Sequence, residues 1–494
     1  MDDASRSLKL KGTLPVKTEV EPQVGGPQSG FPPPYLVGQD LAPYLIVGID
    51  FGSYHCRVCT FANGGPLSVQ PHLYSSLVED ALQIPYTEND FVHSLKTLVS
   101  SGRSVRHANQ IYNNAQLLQK MFQQLKGTVE SSTQRLLAKA VISVPACFHH
   151  RQRKFLIDSA QAASIDVLGL INEPTAAALD ACFRQNIANG RYLVVSCGVY
   201  TFEASVVHIQ NKLIETKSAQ GNVYLSANSL NIALAEAMEL DWGITTPGIH
   251  IEIEKAKKEL DRKQISYLKI NNKHYELTRE LATQWLSSYA AEIELLVNSL
   301  LNAAQLETKE IDGVIFAGAG SQSWLLQETL IKMLKKPAIY WGNISSGAAI
   351  QAALLVRQTK DWVVWDAISC PVFAAQAEQV KQVITANSPL PIAGHALLHA
   401  AYDGFASSTI YQVSPDRSND NLVQVATIKI TDELAPVADE AELDAVVDLS
   451  VQVSSDGTLQ FSARHRTLDV NLKVEVSEPL KDESEVLDLT LEKI

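Results

Sequence analysis

A glycine-bearing turn follows a short apolar run near residue 50. Residues 45–49 read LIVGI and lead directly into the turn DFGS at residues 50–53. Glycine lets the backbone approach a ligand closely, and successive amides in a tight turn can cradle phosphate oxygens. The carboxylate of Asp50 would stand beside the bound ion. A second turn, AGAG at residues 317–320, follows another apolar run. Both turns predict phosphate-binding chemistry only in combination, because glycines at strand ends are common.

Cys56 and Cys59 form a C-x-x-C pair on a predicted strand. A structural zinc ion needs four ligands, usually from two such pairs. No second pair exists among the remaining cysteines, which are Cys147, Cys182, Cys197 and Cys370. Residues three apart on a strand also face opposite sides. The sequence therefore disfavours a metal or redox role for this pair.

Apolar runs alternate with segments of helical periodicity between residues 44 and 360. This alternation predicts an α/β fold with a mostly parallel sheet. Strands are predicted at 45–49, 140–144, 167–171, 192–195, 201–209 and 314–316, and helices at 91–99, 109–126, 150–163, 228–240, 251–261 and 278–305.

The two ends of the chain differ from this middle part. Residues 1–43 are rich in proline and glycine, which predicts a disordered tail. After residue 360 the segments become short and alternating, and Asp456-Gly457 marks a hairpin between residues 447 and 461. The acidic stretch at residues 432–444 is either a solvated surface loop or a patch that steers a basic partner.

The composition excludes several classes of protein. Of the 494 residues, 46% are hydrophobic and 19% are charged, which is enough to bury a core. The 41 basic and 54 acidic residues give a net charge of -13, so direct binding to nucleic acid is not expected. No apolar run is long enough to span a membrane, and no secretory signal opens the chain. We expect a reduced, cytoplasmic protein.

Taken in order, these segments resemble the seventy-kilodalton heat-shock chaperone family. Residues 48–53 resemble its first phosphate loop, and VISVPACF at 141–148 resembles its strand that ends in Val-Pro-Ala-Tyr-Phe. INEPTAAA at 171–178 matches a family signature without a change. The helix at 254–260, the closing helix at 347–352 and the apolar linker at 361–366 also have counterparts there.

The resemblance implies an α/β, actin-like, two-lobed nucleotide-binding domain at residues 44–360. An interdomain linker at 361–366 and a reduced substrate-binding-like β domain, a truncated β-sandwich without a helical lid, at 367–494 would follow. ATP with magnesium is the implied cofactor. The implied nucleotide contacts are Asp50, Gly52, Ser53, Tyr54, Lys96, Glu173, Gly198, Thr201, Glu254, Lys257, Lys258, Gly318 and Gly320, with Asp50 also holding magnesium through a water.

Some of these assignments have plainer alternatives. Lys96 would face the phosphates in the family, but it could be an exposed helix lysine. Glu173 could simply cap free amides at a helix N-terminus. Glu254, Lys257 and Lys258 share one helical face, which would contact adenosine in the family or form a solvated charged face.

The second phosphate loop departs from the family pattern. The family reads Asp-Leu-Gly-Gly-Gly-Thr-Phe-Asp, whereas residues 196–203 read SCGVYTFE. Ser196 replaces the aspartate that serves magnesium and the attacking water, and Val199 and Tyr200 replace two glycines. In the first loop, Tyr54 replaces a threonine. Since losing one preorganised group typically costs about 10²–10³ in rate, we expect no confident catalytic residue and little or no ATPase activity.

Three functions remain open at this stage. The first is a co-chaperone or scaffold that binds ATP with little hydrolysis. Within the family this most resembles the ribosome-associated complex subunit that pairs with the J-domain protein zuotin. The resemblance then implies a J-domain partner, an indirect ribosome contact and possible contact with unfolded or nascent polypeptide. The second is an autonomous, lidless, ATP-cycling chaperone, and the third is a nucleotide-free binding module.

Overall fold

The computed structural model describes residues 44–71, 73–83, 93–101, 103–107, 110–244, 249–377, 379–399, 405–413, 422–432, 447–478 and 486–488. The predicted tail at 1–43 and nearly all of the acidic stretch at 432–444 lie outside these ranges. Within them, no helix has the length and apolarity needed to cross a membrane.

The first lobe is a twisted sheet covered by helices. Its strands and helices are β1 (Tyr44–Asp50), β2 (His55–Ala62), β3 (Gly65–Ser68), β4 (Tyr74–Ser75), α1 (Val78–Leu82), α2 (Leu95–Ser101), β5 (Ser104–His107), β6 (Gln110–Tyr112), α3 (Asn114–Thr133), β7 (Leu136–Val144), α4 (His150–Ala162), β8 (Asp166–Asn172) and α5 (Glu173–Gln185). The main sheet has the order β3-β2-β1-β7-β8, and β1, β7 and β8 are parallel. Parallel strands buried on both faces read as continuous apolar runs, which is why the sequence predicted β1 and β7.

The second lobe contains the other large sheet. Its elements are β9 (Gly190–Cys197), β10 (Phe202–Gln210), β11 (Leu213–Asn222), α6 (Ala227–Trp242), α7 (Ile249–Leu260), β12 (Ile265–Ile270), β13 (Lys273–Thr278), α8 (Arg279–Trp285), α9 (Ser287–Ala303), β14 (Gly313–Ala317), α10 (Trp324–Leu334), β15 (Ala338–Gly342) and α11 (Ile344–Leu355). Helices α8 and α9 divide the single helix predicted at 278–305, and they meet at Leu286.

The helices α5 and α11 lie between the two sheets and join them into one core. Alanine-rich stretches of α5 and α11 share a buried cluster with Val141 of the first sheet and Val194 and Ile315 of the second. Gly347 makes the close approach possible, because a Cβ atom there would lie 1.9 Å from the carbonyl oxygen of Ala176. The two lobes therefore meet over small side chains, and the strand ends of both sheets face the cleft between them.

The remaining strands follow the second lobe, and most of them form a small β-sandwich. They are β16 (Val363–Trp365), β17 (Ala367–Ile368), β18 (Val372–Gln376), β19 (Gln379–Ile384), β20 (Ser388–Pro389), β21 (Ile392–Leu398), β22 (Ala406–Val413), β23 (Leu422–Ile430), β24 (Val447–Val453), β25 (Leu459–His465), β26 (Asn471–Leu472), β27 (Val474–Ser477) and β28 (Val486–Asp488). Sheets β19-β18-β22-β23-β27 and β21-β24-β25-β26 enclose a common apolar core. The predicted hairpin is β24-β25.

Strands at both ends of this region pair with strands of the two lobes. The linker strand β16 adds to the second lobe's sheet, parallel to β11, and completes the order β15-β14-β9-β10-β11-β16. Strand β28 pairs in parallel with β5 of the first lobe. The sandwich is therefore attached to both lobes through backbone pairing.

Candidate nucleotide site

The turns that the sequence singled out meet at the cleft. Asp50 ends β1, Glu173 begins α5, and Ser196 lies near the end of β9. Because parallel strands present their carboxyl ends at one edge of a sheet, these polar side chains converge. All three are buried.

An ion pair occupies the centre of the site. The ammonium of Lys96, on α2, contacts Oε1 of Glu173, and both side chains are about 5% exposed or less. Burial alone would lower the pKa of Lys96, but the carboxylates of Glu173 and Glu203 outweigh it and raise the pKa. The alternative of an exposed helix lysine is therefore wrong. Glu173 faces Lys96 rather than merely its own helix amides.

Ser196 donates to the other oxygen of that carboxylate. Its Oγ lies 3.2 Å from Oε2 of Glu173. Ser196, which replaces the family's aspartate, is thus a neutral hydrogen-bond donor. It occupies one oxygen of the Glu173 carboxylate. An aspartate at this position would place like charges together.

Asp50 is held in the same buried cluster. Oδ1 lies 3.5 Å from Oγ of Ser143, and Oδ2 lies 3.5 Å from Nη1 of Arg57. Burial, followed by the neighbouring charge of Glu173, raises the pKa of Asp50 to about 6. The carboxylate therefore still predominates at pH 7, and the neutral acid becomes substantial only as the pH falls towards 6.

Glu203 completes the cluster, although it was not among the site residues predicted from the sequence. Its Oε2 accepts from the backbone amide of Ala146 at 2.9 Å, whereas Oε1 is buried with no hydrogen-bond partner in the structure. Burial, then the charge of Glu173, raises its pKa well above the ordinary value. The available signal was its place at the last position of the second loop, where the family motif has aspartate.

The glycine turns are closely packed around the second loop. The amide of Gly198 donates to the carbonyl of Thr201 at 2.7 Å. Gly318 has a φ of 77°, and a Cβ atom there would lie 2.4 Å from the carbonyl oxygen of Cys197. A Cβ atom on Gly320 would lie 2.7 Å from Sγ of Cys197. These glycines are required for the turns to pack, independently of any ligand.

The first turn is fixed by serines from nearby segments. Ser76 donates to the carbonyl of Gly52 at 2.8 Å, and Ser94 donates to the carbonyl of Ser53 at 2.7 Å. Tyr54 projects from this turn towards the second lobe, where its hydroxyl lies 3.0 Å from that of Tyr200. The residues that depart from the family pattern in the two loops therefore contact each other.

The adenosine candidates form a neighbouring polar group on α7. Glu254 accepts from Lys257 at 2.6 Å and from Asn231 at 2.7 Å, and it lies 3.3 Å from Lys258. Burial raises the pKa of Glu254, but the two lysines and Asn231 outweigh it and lower the pKa. Lys257 is buried and also donates to the carbonyl of Ala227 at 3.3 Å.

This group adjoins the second loop. The amide of Ala227 donates to the carbonyl of Gly198 at 3.1 Å, so a continuous set of hydrogen bonds joins α7, α6 and the loop. The predicted adenosine contacts on α7 therefore lie next to the second phosphate loop. Lys258, in contrast, has a largely exposed side chain.

The side chains of the cluster supply some of the groups that a nucleotide with bound magnesium would need. The orphaned Oε1 of Glu203 would accept a hydrogen bond from the water shell of a cation, and the ammonium of Lys96 would donate to a phosphate oxygen. Among the described residues, no three His, Cys, Asp or Glu side chains are grouped to hold a metal ion directly. The magnesium contact of Asp50 through a water stays a prediction.

The cysteine pair behaves as the strand geometry predicted. The thiol of Cys56 points to Met121 in the first-lobe core, and that of Cys59 lies 3.2 Å from Oγ of Ser345. Burial raises the pKa of Cys56 to about 12. Burial also raises the pKa of Cys59, so neither thiol favours the thiolate form that binds a metal.

Comparison with known proteins identifies the family. The family described as Hsp70 protein matches residues 89–492, more than half of the chain. A "Chaperone protein HscA homolog" from Acinetobacter baylyi is 23% identical over 491 residues, which cover 89% of this chain and 79% of that protein. Another protein with that description, from Burkholderia mallei, is 27% identical over 372 residues, covering 70% of this chain and 59% of the relative.

Proposed function

This chain belongs to the Hsp70 family, and we propose that it is an Hsp70-type chaperone or co-chaperone that binds ATP with little or no hydrolysis. The observation that carries the proposal is the hydrogen bond from Ser196 to Glu173. Phosphoryl transfer depends on cations and donors positioned around the phosphates. A neutral hydroxyl that is already bonded to Glu173 supplies neither a negative charge for magnesium nor a site for the attacking water.

The remaining residues support binding. Lys96 would contact a phosphate, and Asp50 and Glu203 would accept from the water shell of magnesium. Glu254 and Lys257 would contact the adenosine. Magnesium, when bound, supplies charge neutralisation for the phosphates. The chain's own contribution is to orient these groups in a buried, low-dielectric cluster.

We further propose a scaffold role with a J-domain partner. Hydrogen bonds hold both the linker and the β-sandwich against the two lobes. Asp366, after the linker strand, accepts from the amide of Asn172 at 3.1 Å and from Oγ1 of Thr175 at 2.9 Å. Arg153 on α4 donates to the carbonyl of Asp456 in the β24-β25 hairpin at 3.0 Å. A sandwich docked through such contacts suits a stable assembly.

A zuotin-like J-domain protein, an indirect ribosome contact and a cytoplasmic role in nascent-chain folding are the partners and setting we propose. The nucleotide-free module is the second candidate, and the contact between Tyr54 and Tyr200 favours it because both rings lie between the phosphate loops.

Two measurements test the proposal. Calorimetric titration of the full chain with ATP and magnesium should give saturable binding, whereas no detectable binding would favour the nucleotide-free module. Purification from native cells at moderate salt, followed by sizing, should recover a stoichiometric J-domain protein. A monomer recovered alone would contradict the scaffold role and favour the autonomous chaperone.

A further inference from the structure

Two tyrosines from different lobes meet across the cleft. Tyr54 follows the turn after β1, and Tyr200 lies in the turn between β9 and β10. Their hydroxyl oxygens are 3.0 Å apart, and their rings pack edge to face with centroids 5.8 Å apart and an interplanar angle of 83°. Such a pair is favourable beyond its buried area. The contact joins the two lobes directly through side chains.

Both rings project from turns that are fixed by backbone hydrogen bonds. The amide of Ser76 donates to the carbonyl of Tyr54 at 3.1 Å. On the other side, the amide of Asn228 donates to the carbonyl of Val199 at 2.9 Å, next to Tyr200. The backbones of the two turns therefore cannot withdraw freely, and separating the rings requires side-chain rotation or movement of the lobes.

We propose that Tyr54 and Tyr200 set the ligand specificity of the cleft by occupying the room between the phosphate loops. The pair discriminates against the phosphate chain of a nucleoside triphosphate and favours an uncharged nucleoside. This inference rests on the proposed nucleotide-binding function and refines it. Phosphate oxygens need close backbone approach at such turns, whereas a phenol ring keeps the two turns apart.

The adenosine candidates are separate from the pair. Glu254 and Lys257 bond to Asn231 and Ala227, and within the described part of the chain neither forms a hydrogen bond with either tyrosine. Adenosine can then bind while the pair is intact, whereas ATP must break it. Breaking the ring contact and its hydrogen bond lowers the affinity for ATP selectively. The same pair holds the lobes together when no ligand is bound.

Calorimetric titrations of the full chain with ATP-magnesium and with adenosine test the specificity. The variant Tyr54→Thr/Tyr200→Gly, which removes both rings, should bind ATP about tenfold more tightly than the wild type, with adenosine affinity unchanged. Tyr54→Phe/Tyr200→Phe keeps the rings and should remain close to the wild type. Tyr267→Thr, on the exposed face of β12, is the matched control. Equal ATP affinity in the wild type and the ring-deleted variant would overturn the inference.

A ligand-free measurement separates this inference from the proposed function. In a double-mutant cycle of Tyr54→Phe and Tyr200→Phe, the changes in unfolding free energy should be non-additive, since the two hydroxyls bond each other. Additive changes would overturn the pair as a link between the lobes. Failure of every variant to bind ATP or adenosine would overturn both proposals. Tight ATP binding that is insensitive to both tyrosines would overturn this inference alone.

Discussion

The ammonium of Lys96 is buried against the carboxylate of Glu173, so α2 of the first lobe is tied to the start of α5 at the base of the cleft. Removing one partner of a buried ion pair leaves an uncompensated charge, which is strongly destabilising. Neutralising both partners is much less costly. The pair therefore offers a direct test of how the site is held together.

Lys96→Met should lower the free energy of unfolding by about 3–5 kcal/mol, as measured by urea denaturation. The double variant Lys96→Met/Glu173→Gln should be more stable than Lys96→Met alone, because no unpaired carboxylate remains. Lys263→Met, at an exposed lysine, should change stability by less than about 0.5 kcal/mol. A double variant less stable than Lys96→Met would show that the two groups do not compensate each other.

Repair of the second phosphate loop should not restore activity. The variant Ser196→Asp/Val199→Gly/Tyr200→Gly recovers the family residues but places a new carboxylate beside Glu173, whose Oε2 now accepts from the Ser196 hydroxyl at 3.2 Å. Tyr54 also remains in the first loop. We expect hydrolysis to stay low and stability to fall by about 1–3 kcal/mol. Recovery of the turnover of an ordinary family member would contradict this account.

Close packing around α11 makes Gly347 irreplaceable. A Cβ atom there would lie 1.9 Å from the carbonyl oxygen of Ala176 on α5, so Gly347→Ala must separate the helices. We expect a loss of about 1–3 kcal/mol or more in thermal or urea unfolding. Gly127→Ala is the matched control, because a Cβ atom at that position in α3 meets nothing within 4 Å. It should gain about 0.5–1 kcal/mol.

Docking of the sandwich should weaken in acid through His150. The amide of Leu459 donates to Nδ1 of His150 at 2.9 Å, and the amide of His150 donates to Gln412 at 2.7 Å. Burial, with the positive charge of Lys154, lowers the pKa of His150 from 6.5 to about 4. The folded state thus prefers the neutral ring, so its contribution is present above pH 6.5 and is lost as the pH falls towards 4.

His150→Asn retains an acceptor near the position of Nδ1 but cannot titrate. When the pH is lowered from 7 to 4, the wild type should lose roughly 3 kcal/mol more unfolding free energy than this variant loses. Unfolding in a pH series, followed by tryptophan fluorescence, measures the difference. A difference that does not vary with pH would contradict the assignment.

Local signals in the sequence were sufficient for much of the fold. Apolar runs predicted the strands β1 and β7, and Asp456-Gly457 predicted the β24-β25 hairpin. Each of these signals lies within a few consecutive residues. The hairpin β12-β13 and the break between α8 and α9 at Leu286 were not predicted. The hydrophobic patterns of these segments are ambiguous, and tertiary packing decides which structure they form.

The sequence indicated Asp50, Lys96, Glu173 and Ser196 as members of the polar cluster, but it indicated neither Glu203 nor the contacts among these residues. Asp50 and Glu173 could be identified from motifs, whereas the burial of Lys96 depends on how α2 packs against α3 and α4 and on its pairing with Glu173 at the start of α5. Tyr54 and Tyr200 were recognised only as separate departures, because 146 residues separate them in the chain. Neither hydrophobic periodicity nor motif spacing can predict a contact between residues so far apart in the chain.

The central claim is that the cleft binds ATP without turning it over, and single-turnover hydrolysis tests it most directly. The full chain, in excess over labelled ATP and magnesium, is mixed and quenched over time, with Asp50→Asn as the matched variant. We predict that bound ATP stays intact far longer than in an ordinary family member, with the wild type and Asp50→Asn indistinguishable. Rapid hydrolysis that Asp50→Asn abolishes would contradict the claim.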